Sequence, residues 1–173
     1  MAETTLSDLT ATAQRAQASG RQADADQAQL RRTLVALDRQ DGGPSRNELA
    51  RMVEGALSRR LVLNTLQAAD TLRALIPLLP TSAEDRPIHE DGLDLLAGRW
   101  HAQARTSGHV VLSLVPDIEP GDGLETERGR RRVAERMLAR LKEAGFEVLV
   151  KQSAGLRAVD ELADWGQVYL TQK

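Results

Sequence analysis

Leu6, Leu9, Ala13, Ala16, Gly20, Ala23, Gln27, Leu30, Leu34 and Leu37 follow one another in alternating steps of three and four residues. That seven-residue repeat places them along one side of a helix, as in the seam of a coiled coil. Leu closes both ends of the seam, and Ala and Gly fill its middle. Small seam residues let a second helix approach closely, so the pattern demands an apposed helix. It specifies no ligand and no reaction. We therefore expect Leu6, Leu9, Ala13, Ala16, Gly20, Ala23, Leu30, Leu34 and Leu37 to form an interface.

The spacing predicts one helix from about Thr5 or Ser7 to Gln40. Asp41, Gly42, Gly43 and Pro44 stop it, because Gly suits the left-handed C-cap and Pro cannot continue a helix. Ser45 with Glu48 reads as a capping box that opens a second helix. Leu49, Met52, Val53, Ala56, Leu57, Leu63, Leu66, Leu72 and Ile76 make its apolar face, and Pro77 and Pro80 end it. At about 1.5 Å per residue each helix is roughly 45–50 Å long, and the short turn between them implies an antiparallel hairpin. Leu61, Val62 and Leu63 widen the apolar face beyond one seam. The surplus asks for cover from the second half of the chain or from other copies, so self-association is expected.

Residues 77–92 are Pro-rich and acidic and read as a linker or an extended, packed strap. Beyond it the pattern changes. Leu93, Leu95, Leu96 and Trp100 fit a short helix. Alternatively, Trp100, Ala102 and Ala104 alternate with His101, Gln103 and Arg105 as in a strand. With Thr106-Ser107-Gly108 as the turn, the strand reading gives a hairpin with 109–115. Thr126–Ala144 reads as a helix with Val133, Met137, Leu138 and Leu141 inward and Gly145 as its cap, and 146–150 as a strand. Strand, helix and strand together suggest a βαβ unit. Residues 156–165 read as one more short helix and 168–170 as a last strand. The expected fold is α+β: a helical hairpin over 1–76, the linker, and a small α/β domain over 93–173.

The chemistry is mostly exclusion. Cysteine is absent from the 173 residues, which removes disulfides, thiolate catalysis and Cys-ligated zinc. A net charge of −2 gives no general pull toward nucleic acid or anionic lipid. No apolar leader follows the polar start, and Asn64, Gln67, Asp70 and Arg73 interrupt the most apolar stretch, so neither secretion nor a membrane span is expected. Asp117, Glu119, Asp122 and Glu125 crowd one loop. The loop fails the EF-hand order, since Gly121, Asp122 and Arg128 stand where a third acidic ligand, the Gly and the closing Glu belong. It also lacks both nucleotide-binding glycine patterns. His89, His101 and His109 have no metal-type spacing, although a hairpin would bring His101 and His109 face to face. No Gly-x-Ser-x-Gly elbow is present.

Arg128, Arg132, Arg136 and Arg140 recur every fourth residue and form a basic ridge, suited to an anion or an acidic partner. Glu127, Glu135 and Glu143 share the helix, and no aromatic lies near for base stacking, so nucleic acid is the weaker partner. We expect a non-enzymatic, cytoplasm-made assembly protein without cofactor or metal, which associates with itself or with subunits of a larger complex. A phage or virion component is a natural setting. The alternatives are an adaptor that binds nucleic acid through the ridge, and a ligand- or metal-binding enzyme module built on loop 116–125.

Overall fold

The computed structural model describes residues 6–18, 23–79, 89–98, 100–114, 126–152, 155–158 and 167–172. The chain is α+β. Four helices come first: α1 (Leu6–Ala18), α2 (Ala23–Asp38), α3 (Arg46–Met52) and α4 (Arg59–Leu75). Seven strands follow, β1 (His89–Glu90), β2 (Asp94–Ala97), β3 (Trp100–Ala104), β4 (Val110–Leu114), β5 (Phe146–Gln152), β6 (Gly155–Ala158) and β7 (Gln167–Gln172), with helix α5 (Glu127–Glu143) between β4 and β5.

The single helix expected to reach Gln40 is two helices, and α1 packs against α2. Only four residues, 19–22, join them, so two packed helices of this length must run antiparallel. The seam thus folds back on itself. Leu9 of α1 and Leu30, Leu34 and Leu37 of α2 are all buried in one cluster. These leucines pack in the chain's own core and not against a partner chain's helix. Each such leucine withdrawn from water stabilises by roughly 1.5–3 kcal/mol.

The second expected helix is also two. The Ser45 capping box forms: Ser45 Oγ accepts from the Glu48 amide, and the Glu48 carboxylate accepts from the Ser45 amide. After seven residues the helix ends, and Gly55 turns the chain at φ +92°. Ser58 then caps α4 by accepting from the Leu61 amide at 3.2 Å. Arg46 binds α2, α3 and α4 together. Its guanidinium donates to both carboxylate oxygens of Asp38, at 2.9 and 2.8 Å, and to Asp70 at 2.8 Å.

The strands form one sheet in the order β1-β2-β3-β4-β7-β5-β6, and every neighbouring pair is antiparallel. The hairpin reading of 100–115 holds, closed by Gly108 at φ +91°. The helical reading of 93–100 gives way to β2 and β3. The βαβ unit with adjacent parallel strands does not form. β4 and β5 run the same way, but β7 lies between them and pairs antiparallel with both. The helix expected over 156–165 is replaced at its start by β6, which pairs with β5; 159–166 lie outside the described residues.

The described helices share one core with one face of the sheet, against which α4 and α5 pack directly. Leu95, Ala97, Trp100, Ala102, Ala104, Val110, Leu112, Phe146, Val148, Val168 and Leu170 alternate onto that face and are buried. They share a single cluster with leucines of α1, α2 and α4 and with Ala134, Met137, Leu138 and Leu141 of α5. α4 crosses β3, β4 and β7, while α5 covers β5. At the entry to β2, Gly92 takes φ +86° against α2, where an added Cβ would lie 2.9 Å from Val35 Cγ1. No described helix is long and apolar enough to cross a membrane.

Candidate functional site

The register lines up the opposite face of the sheet in two rows. One runs Asp94, Gln103, Val111, Tyr169, Leu149 across β2, β3, β4, β7 and β5. The next runs Leu96, His101, Ser113, Gln167 across β2, β3, β4 and β7. These positions follow from the two-residue alternation of strands whose other face is buried. Among the described residues no helix packs on this face. Leu96 is 45 % exposed, Leu6 and Leu63 are exposed to a similar degree in the helices, and Leu149 and Tyr169 are half-buried outside the main cluster.

The polar groups of this face are engaged locally. His101 Nε2 pairs with Asp94 Oδ1 across β2 and β3. Ser113 stands opposite His101, and its hydroxyl donates to the His101 carbonyl at 3.3 Å. Ser, His and Asp thus come together, but the serine proton is committed to a backbone oxygen and not to the imidazole. Nucleophile activation needs the hydroxyl bonded to the base itself. The expected opposition of His101 and His109 does not occur, because the turn places His109 before β4. His109 instead meets the Tyr169 ring edge-on, 6.3 Å between centroids, and its Nδ1 lies 3.1 Å from Ser107 Oγ.

The sequence-predicted interface residues divide. Leu9, Ala13, Leu30, Leu34 and Leu37 are buried within the chain, Leu6 is 48 % exposed, and Gln27 is half-buried. Ala16 lies in α1 and Ala23 opens α2, whereas Gly20 lies outside the described residues. Arg128, Arg132, Arg136 and Arg140 all lie exposed along α5. The helix is capped by Thr126 Oγ1, which accepts from the Gly129 amide at 3.0 Å. Arg131 pairs with Glu135 at 3.0 Å, one turn on. The acidic loop with Asp117, Glu119, Asp122 and Glu125 lies outside the described residues. Among the described residues no three metal-ligating side chains gather.

Two further features lie in the helical layer. Arg31 reaches from α2 to α4 and β3, donating to Thr65 Oγ1 at 3.0 Å and toward the Ala104 carbonyl at 3.5 Å. Burial first, and the neighbouring Arg32 charge second, lower its pKa below the ordinary arginine value. A cleft of about 420 Å³ opens between α3 and the start of α4, lined by Asn47, Arg51, Glu54, Leu57, Ser58 and Arg59. Arg59 donates across it to Asn47 at 3.0 Å.

The sequence carried the signal for the open face in the alternation of 100–104, but not the strand neighbours that assemble the two rows. Comparison with protein-family models, with curated proteins and with solved structures returned no match.

Proposed function

We propose that this chain is a non-enzymatic assembly protein that associates with copies of itself, as the subunit of a larger complex such as a virion. Apart from the exposed Leu6, the seam leucines are occupied within the chain, so the contact passes from the helices to the open face of the sheet. The observation that carries this reading is the pair of rows containing Leu96, Leu149 and Tyr169. Leu96 is exposed and Leu149 and Tyr169 are half-buried on a face where no described helix packs, with Val111, the β4 neighbour of Tyr169 in the same row, buried. Exposed apolar area bordered by polar groups marks protein contact more often than catalysis. Asp94, His101, Gln103 and Ser113 supply that border, with neutral or paired groups that a partner can meet without burying a lone charge.

The test is the solution mass of the full chain by light scattering over a hundredfold concentration range. A defined oligomer or concentration-dependent growth is expected, and Leu96→Glu should lower the mass by at least about twofold. Leu149→Gln is the second variant, and unchanged circular dichroism shows that each variant folds. A wild-type monomer throughout the range overturns the proposal.

A further inference from the structure

The exposed face of α5 is built against its own local interest. Arg128, Arg132, Arg136 and Arg140 follow at i, i+4, and each such like-charge step disfavours the helix. Arg128 and Arg130 occupy the first turn, where the helix dipole favours acids. Among the described residues none of the four ridge arginines makes an ion pair; only Arg131 does, with Glu135. The Arg131–Glu135 pair and the placement of Arg140 and Lys142 in the last turn offset only part of this repulsion, and no described ion pair within the chain reaches Arg128, Arg132 or Arg136. Local choices that contradict the fold mark surfaces whose stabilising partner lies elsewhere.

We infer that the ridge docks onto carboxylates of a second copy of this chain, a claim that rests on the self-association proposed above. Charge complementarity within the sequence supports that occupant. Helix α5 carries seven basic and three acidic residues of the chain's 23 and 25, which leaves the remainder at a net −6. Asp24, Asp41 and Glu54 are exposed in the helical layer and offer such carboxylates. A nucleic acid fits less well. Glu135 and Glu143 share the exposed face and would meet phosphates, and α5 presents no aromatic for stacking. The ridge also points away from the sheet, because Ala134, Met137, Leu138 and Leu141 bury the other side of α5. In this reading one subunit carries two contact surfaces on opposite sides, one mixed apolar and polar on the sheet and one basic on α5.

Salt separates the two. Raising NaCl from about 0.1 M to about 1 M shortens the screening length from about 10 to about 3 Å and leaves apolar contacts intact. Light scattering of the full chain should show at least about a twofold drop in mass between these salts, as expected when one of two contact types is lost. Arg132→Glu/Arg136→Glu should reproduce the drop at low salt, and Arg132→Lys/Arg136→Lys should keep the wild-type mass. Two results overturn the ridge contact while sparing the assembly reading. One is a mass that ignores salt and charge reversal but falls with Leu96→Glu. The other is an unchanged mass together with binding of a fluorescent DNA duplex that the Glu variant abolishes. A monomer under every condition overturns both proposals.

Discussion

Asp91 shows how one side chain joins the two halves of the chain. Its Oδ1 accepts from the amides of Leu93 and Asp94, at 3.0 and 2.8 Å, and its Oδ2 accepts from Arg32 Nε of α2 at 2.8 Å. Burial opposes its ionisation, but the Leu93 amide, the Arg32 guanidinium and the Asp94 amide outweigh it and hold its pKa below the ordinary 3.8. A carboxyl with a lowered folded pKa stabilises the fold above its unfolded value and loses that contribution as pH falls through the folded one. Asp91→Asn should therefore lower stability by about 1 kcal/mol at pH 7. Urea midpoints of the two proteins should converge as the pH drops below 3.8. A gap that stays constant from neutral to acid pH would assign the effect to packing instead.

At the scale of the element, the capping signals were legible and the helix lengths were not. Ser45 with Glu48, Gly42 and Gly145 act where their chemistry predicts, since caps depend on neighbours within four residues. Gly20, a poor helix former in the middle of the heptad seam, was the one local sign against a single helix, and the regular spacing outweighed it. A continuous helix and a helix folded back on itself bury the same leucines, and only the second needs no partner chain. Gly55 and Ser58 were the overlooked signs of the α3–α4 break. The consequence is measurable. Leu34→Ala removes a side chain fully buried between helices and should cost about 2–5 kcal/mol. Leu6→Ala alters the exposed end of the same seam and should cost under about 1 kcal/mol. Equal losses in denaturant titrations would mean that the seam is used as one interface and not as part of the chain's own core.

On the scale of the whole molecule, one apolar cluster runs from Leu9 to Leu170 and takes in α1, α2, α4, α5 and the covered face of the sheet. Arg31, donating to Thr65 and Ala104, and Asn64, donating to the Thr106 carbonyl at 3.0 Å, tie α2 and α4 to the β3–β4 hairpin. A shared core of this kind predicts a single cooperative transition. Helix circular dichroism and Trp100 fluorescence, the latter in a Trp165→Phe background, should give the same urea midpoint. Two separated midpoints would show that residues 1–76 and 93–173 unfold independently. The sequence by itself determined the local features: the caps, the alternation of β3 and β4, the inward side of α5 and the arginine ridge. Each depends on residue spacing over a few positions. Only the tertiary structure decided that the seam closes on itself, that β7 enters between β4 and β5, and that the described helices gather on one face. Those outcomes depend on which apolar surfaces meet across long stretches of chain, and residue spacing carries no record of that choice.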